Sequence, residues 1–128
     1  MMSSERILIV DDDEAIRTML ADLFREEGYE VQTAIHGRQA LDSLKRSEFD
    51  LLLTDISMPV MDGRQLARAL KERGEPVPVV VMTAAQSAAA LAREVDAVAY
   101  LGKPFDIDKL LTTVDRVIRR TRKIPPSL

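Results

Sequence analysis

The chain has 128 residues, 46% hydrophobic and 30% charged, with a formal net charge of −3 and no cysteine. That length suffices for about one domain with its own core, and the lack of cysteine excludes disulfides, thiolate nucleophiles and cysteine-based zinc or iron–sulfur centres. The charge gives no bulk attraction to nucleic acid or membrane, no apolar run nears the roughly 20 residues of a bilayer span, and MMSSER is no signal peptide; a single water-soluble cytoplasmic domain is expected.

RILIV (6–10) is short, apolar and rich in β-branched residues, which predicts a buried strand. Asp11, Asp12, Asp13 and Glu14 follow. Ile16, Met19, Leu20, Leu23 and Phe24 then fall on one face of a helix, with Gly28 where a C-terminal cap belongs. YEVQTA (29–34) alternates weakly and suits a strand nearer the sheet edge, and Ala40, Leu41 and Leu44 mark a short helix beginning around Gly37. DLLLT (50–54) and VPVVVMT (77–83) are continuous apolar runs, as expected where helices cover both faces of a sheet. Between them come the loop DISMPVMDG and a helix carrying Leu66, Ala67 and Leu70 up to Gly74. SAAALAREV (87–95) predicts a short fourth helix. VAYL (98–101) predicts a fifth strand. Ile107, Leu110, Leu111, Val114 and Ile118 predict a longer last helix, whose basic end suits its dipole. Residues 1–122 are read as the domain and 123–128 as a flexible tail or the start of a linker, since Pro-Pro cannot continue the helix.

Five strands alternating with five helices argue for an α/β fold, a parallel sheet with helices on both faces. Sites in such sheets lie at the carboxyl ends of the strands. There the sequence places Asp11 and Asp12, Asp55, Thr83 and Lys103. Each like-charge pair about 4 Å apart costs roughly 4 kcal/mol at an effective dielectric of 20, so cations or a proton must hold the carboxylates together. Lys103 supplies one positive charge; all-oxygen ligands suit Mg²⁺, or Mn²⁺, better than zinc. A carboxylate beside a metal, a hydroxyl and an ammonium suits nucleophilic attack on phosphorus, with Asp55 as the attacking group.

ILIVDDDEAIR, LLLTDISMPVMDG, VVVMTA and YLGKPF, in this order, resemble the signature segments of the response-regulator receiver family from about Arg6 to Arg122. The resemblance implies a doubly wound, flavodoxin-like (βα)5 sheet of order 2-1-3-4-5. It implies that Asp55 accepts a phosphoryl group from a sensor histidine kinase or histidine phosphotransfer protein. Asp12, Asp55 and the backbone carbonyl of Ser57 would bind Mg²⁺, with Asp11 assisting. Thr83 and Lys103 would contact the phosphoryl group, and Thr83 with Tyr100 would form the switch that an unknown downstream protein reads at the face of the fourth helix, fifth strand and fifth helix. A receiver of this kind is no enzyme beyond its own phosphorylation and dephosphorylation, and is a monomer or a phosphorylation-dependent dimer. Lys103-Pro104 is expected cis, against roughly 5–6% of X-Pro bonds in general.

Competing readings stand beside these. A phosphorylation-independent interaction module with a receiver fold is the alternative. A phosphohydrolase is disfavoured, since Ser57 stands where such enzymes carry a second Asp. His36 reads as a solvated loop residue, and the basic end RVIRRTRK (116–123) as a solvated helix terminus without a second basic element. Two departures fall near the fourth helix. Related receivers carry about two more residues than this chain between Thr83 and Lys103. They also tend to have Gly-Ala where this chain has Asp96-Ala97, so the fourth helix is expected to be short, shifted or irregular.

Overall fold

The computed structural model describes residues 5–56, 61–84 and 88–121, with the side chains of Ala84 and Thr121 excepted. Ser57, Ala85 and the expected tail lie outside the described residues. Elements alternate without exception: β1 (Arg6–Val10), α1 (Glu14–Glu26), β2 (Glu30–Ala34), α2 (Gly37–Arg46), β3 (Leu51–Asp55), α3 (Gly63–Glu72), β4 (Val79–Ala84), α4 (Ala88–Glu94), β5 (Ala99–Lys103) and α5 (Ile107–Thr121). The five strands are parallel in the order β2-β1-β3-β4-β5, which is the expected doubly wound sheet.

Alternation along each strand divides the core. Ile7 and Ile9 of β1, Leu51 and Leu53 of β3, and Val80 and Met82 of β4 pack with Leu20 and Phe24 of α1 and Leu110 and Val114 of α5. Leu8, Val10 and Leu52 face the other way, onto Ala40 and Leu44 of α2 and Leu66 and Leu70 of α3. Val81 meets Ala92 of α4, and Val79 borders both of these groups, so α2, α3 and α4 share one face. Burial on both faces is why β1 and β3 read as unbroken apolar runs.

Several boundaries differ from the sequence reading for local reasons. β4 begins at Val79, two residues later than expected, because Pro76 and Pro78 have no N–H to donate to a ladder. β5 runs on to Lys103, since Gly102 and Lys103 pair with Thr83 and Ala84 despite lacking apolar side chains. Met19 lies at the margin of the α1 stripe and is 40% exposed, while Ala21 is buried in its place. His36 is not simply a solvated loop residue. It is the N-cap of α2, half-buried, with Nδ1 accepting from the Gln39 N–H at 3.2 Å. The Lys103-Pro104 bond is cis.

The fourth helix is short, seven residues, but its end is regular. Three helices close with the same paired bonds. Tyr29 N–H reaches the Phe24 carbonyl and Gly28 N–H that of Arg25 after α1; Glu75 and Gly74 do likewise with Leu70 and Lys71 after α3. After α4, Ala97 N–H donates to the Ala92 carbonyl at 2.8 Å and Asp96 N–H to that of Arg93 at 3.3 Å. This closure requires a left-handed residue. Gly28 (φ 97°) and Gly74 (φ 67°) supply it twice, and Asp96 takes it up at φ 61° with a Cβ in place. The missing glycine costs strain rather than the cap.

Asp96→Gly should therefore raise the unfolding free energy, by up to about 1 kcal/mol after the greater chain entropy of glycine is deducted. Denaturant unfolding checks this; an unchanged or lower stability would show that the Asp96 side chain offsets its own strain.

Candidate functional site

The rim is built where β1, β3 and β5 end. Asp11 follows β1 and is fully buried; its N–H donates to the Ala34 carbonyl of β2 at 3.2 Å. Its Oδ1 accepts the Asp13 N–H at 2.9 Å, and its Oδ2 accepts from Lys103 Nζ at 3.1 Å. Asp55, the last residue of β3, is 7% exposed and its Oδ2 lies 3.2 Å from the same ammonium. Lys103 stands two strands from β3, and its long stem spans β4 to reach both carboxylates. Asp12 points outward and is exposed, yet one oxygen from each of Asp11, Asp12 and Asp55 lies within 4.8 Å of the others.

Burial alone would lower the Lys103 pKa. The charge of Asp55 and the hydrogen bonds and charge of Asp11 together outweigh it, so the ammonium is held above its ordinary value. Three formal carboxylates against one ammonium leave an excess of two negative charges, the complement of one divalent ion. Hard oxygens at this spacing, with exposed Asp12 open to water, fit Mg²⁺, which keeps several waters when bound.

The four acids of DDDE separate as their positions demand. Asp11 and Asp12 join the rim, whereas Asp13 is the N-cap of α1, its Oδ1 accepting from Ile16 N–H at 3.1 Å, and Glu14 sits in the first turn. Thr83 lies on β4, half-buried, one residue past the Asp55 partner Met82. Tyr100 is not brought to the rim. It pairs with Val81, two residues short of the Thr83 level, and is 48% exposed. Ser57, read as a carbonyl ligand, lies outside the described residues.

Sequence reasoning missed three supporting residues. Arg17 of α1 donates from a guanidinium nitrogen to the Asp11 carbonyl at 2.9 Å, pinning the turn that carries the acids. Gly63 opens α3 with its N–H on the Ile56 carbonyl at 2.8 Å, and a Cβ there would lie 2.8 Å from the Asp55 carbonyl oxygen. Gly37 opens α2 in the same way against Met61, where a Cβ would meet Met61 Cγ at 2.7 Å. The Asp-Gly pair after the third strand was the available signal for Gly63; it read only as a turn.

Comparison with known proteins agrees on one family. The model of the response regulator receiver domain matches residues 7–115. Response regulator MprA of Mycobacterium bovis (strain BCG / Pasteur 1173P2) is 39% identical over 121 residues, covering 93% of this chain and 53% of the relative. The chain thus spans about half the length of the curated relatives it matches. Among solved structures, chemotaxis response regulator CheY4 of Vibrio cholerae is 33% identical, with a TM-score of 0.81 over 90% of this chain and 99% of that one. Response regulator TrrA of Thermotoga maritima, solved in complex with Mg(2+)-BeF, is 32% identical, with a TM-score of 0.79 over 88% and 98%.

Two outcomes follow from the site geometry. Asp12→Ala should abolish the Mg²⁺-dependent rise in melting temperature, whereas Asp13→Ala should keep it and lose about 1 kcal/mol of stability as a helix cap. Equal loss of the Mg²⁺ response in both would undo the division of the acids. The second concerns pH. The folded Lys103 pKa is raised above 10.5, so the stability from its ion pairs is complete below that unfolded value and is lost as pH rises through the folded one. The stability gap between wild type and Lys103→Met should hold up to about pH 10.5 and shrink as pH rises above it. Tyr29, pushed up to about 12 by burial and then by Asp115, titrates in both proteins and cancels.

Proposed function

Because this chain belongs to the response-regulator receiver family, we propose that Asp55 takes a phosphoryl group from a phosphohistidine of a sensor kinase or phosphotransfer protein. The observation that carries this is the Lys103 ammonium, held 3.1 Å from buried Asp11 and 3.2 Å from Asp55 at the carboxyl edge of the sheet.

An Asp55 carboxylate oxygen attacks phosphorus in line, the P–O bond forms as the P–N bond breaks, and the imidazole leaves with a proton. Asp12 and Asp55, with the Ser57 carbonyl and assistance from Asp11, would hold Mg²⁺ or Mn²⁺, which would supply charge to offset the phosphoryl and carboxylate oxygens. Lys103 already donates to Asp55 Oδ2 and so stands where a phosphoryl oxygen would develop. The Asp11 link to Asp13 N–H fixes its carboxylate, leaving Asp12 as the acid free to turn to a ligand. The chain catalyses its own phosphorylation and dephosphorylation only, and Lys103 and Thr83 serve both.

The switch reading draws support from strand register. Thr83 pairs with Gly102, and Tyr100 pairs with Val81 two residues earlier. Partners and alternate residues share a sheet face, so Thr83 and Tyr100 are diagonal neighbours on the α4 face, with Val81 and the bare Gly102 at the other two corners. When Thr83 moves to donate to a phosphoryl oxygen, the Tyr100 ring has room over Gly102 to turn inward. The face of α4, β5 and α5 then changes for a downstream protein. Among the described residues no helix is long and apolar enough to cross a membrane, and the chain acts in the cytoplasm without nucleic-acid contact of its own, as a monomer or a dimer formed on phosphorylation.

Incubation with Mg²⁺ and acetyl phosphate, read by intact mass, should add one phosphate to the wild type and none to Asp55→Ala. An unmodified wild type, or equal gain in the variant, would leave the phosphorylation-independent module as the better reading.

A further inference from the structure

Arg17 is the fourth residue of α1 and half-buried, and its guanidinium reaches back past the start of the helix to the Asp11 carbonyl at 2.9 Å. A cation near the N-terminus of a helix opposes the macrodipole, so the helix itself gives no reason for it. Charge balance gives none either. Asp11, Asp12, Asp13 and Glu14 all lie within six residues of it. Arg17 nevertheless joins no ion pair among the described residues and takes an uncharged backbone oxygen instead.

That oxygen belongs to the peptide joining Asp11 to Asp12. The peptide before it is anchored by Asp11 N–H on the Ala34 carbonyl of β2 at 3.2 Å, and the one after Asp12 by Asp13 N–H on Asp11 Oδ1 at 2.9 Å. Arg17 fixes the plane between them. Of the three bonds, it alone comes from a side chain outside the acid cluster. The Asp12 carboxylate is exposed and has no bonding partner among the described residues, so its place within 4.8 Å of Asp11 and Asp55 is set by its backbone. The backbone is what Arg17 holds.

We infer that Arg17 is a positioning residue for Asp12. It orients the Asp11–Asp12 peptide so that the Asp12 carboxylate stands at the rim. By binding a backbone carbonyl it also leaves the carboxylate oxygens there to a divalent ion. The inference rests on the proposed Mg²⁺ site and deepens it by naming a residue outside that site which sets its affinity. The sign of the effect separates positioning from simple electrostatics. As a cation beside a site for a cation, Arg17 would by charge alone weaken Mg²⁺ binding, and its removal would tighten it. Positioning predicts the reverse.

Mg²⁺ titration of the whole chain, followed by amide resonances, tests this on wild type, Arg17→Met and Arg17→Lys. Arg17→Met keeps the apolar stem and loses the donor, and should bind Mg²⁺ roughly tenfold more weakly, as for other partners one step removed from a metal ligand. Arg17→Lys keeps the charge and a donor on a shorter stem, and should fall between the two. In the metal-free proteins, amide exchange at Asp13 should quicken in Arg17→Met while Ile9 and Leu53 in the core exchange as in wild type. Unchanged or tighter binding in Arg17→Met, a lysine variant outside that interval, or a wild type that binds no Mg²⁺ overturns the inference. Equal loss of protection at Asp13, Ile9 and Leu53 does so too, marking Arg17 as a stabiliser of the whole fold. With acetyl phosphate at saturating Mg²⁺, the phosphorylation rate of Arg17→Met should return close to wild type, since the filled site no longer depends on affinity. A rate that stays tenfold or more below, by about the factor lost in affinity, overturns the inference by making Arg17 a contact of the phosphodonor. If wild type gains no phosphate while the order of Mg²⁺ affinities holds, the acceptor reading fails and the positioning role stands.

Discussion

Everything at the carboxyl edge depends on one ammonium holding two buried carboxylates side by side. At about 4 Å, and an effective dielectric of 20, each like-charge pair costs roughly 4 kcal/mol, and Asp11 and Asp55 are too buried for water to absorb that cost. Lys103 answers both at 3.1 and 3.2 Å. The arrangement neutralises only part of the rim and so is built to receive more positive charge. A site that balanced itself fully would have no excess charge left to attract a divalent ion, and one without Lys103 would leave Asp55 and Asp11 side by side with no ammonium between them.

Such a rim needs a rigid frame, because Lys103 acts across two strands. The frame comes from the parallel ladders, with Val10 paired to Thr54 and Ala34, and Asp55 to Met82. It also comes from two helix starts that press on the segment after Asp55. Gly37 and Gly63 approach Met61 and the Asp55–Ile56 backbone so closely that any side chain would collide. Thr54, fully inside the sheet, adds its hydroxyl to the Asp55 carbonyl at 2.9 Å. Asp55 is thus held by its backbone as well as by the Lys103 ammonium on its carboxylate.

How much of this was legible depended on whether the signal was local. The strands β1 and β3 announce themselves because both their faces are buried, which leaves ILIV and LLL without polar interruption. β5 announces only its apolar half; its last two residues, Gly102 and Lys103, are strand by pairing and not by side chain. The His36 cap was hidden because histidine is an uncommon choice for that position. The rim itself was readable, since topology alone sends the ends of parallel strands to one edge, and four motif segments in order reinforced it. The contacts of Arg17 and Gly63 were not, because each is a short reach between elements that sequence periodicity does not relate.

β5 joins the two regions. Lys103 lies at its end in the rim, and Tyr100 stands three residues earlier on the face of α4, β5 and α5. A strand paired along β4 cannot report a change by bending much, so the movable part is the Tyr100 side chain, exposed in the present arrangement. A partner that seats an apolar group where the outward ring now stands must prefer the inward ring, and phosphorylation has the same preference if Thr83 is drawn to the phosphoryl group. Two ligands that favour one state of a shared element strengthen each other by the same factor. Such a partner would then raise the fraction of Asp55 phosphorylated at a given donor concentration as much as phosphorylation tightens the partner. The opposite preference, with apolar groups packing on the outward ring, reverses the sign and makes the partner a brake on phosphorylation. The identity of the signal therefore lies in the rotamer of Tyr100 that the partner selects, while its strength is bounded by the free-energy difference between the two rotamers.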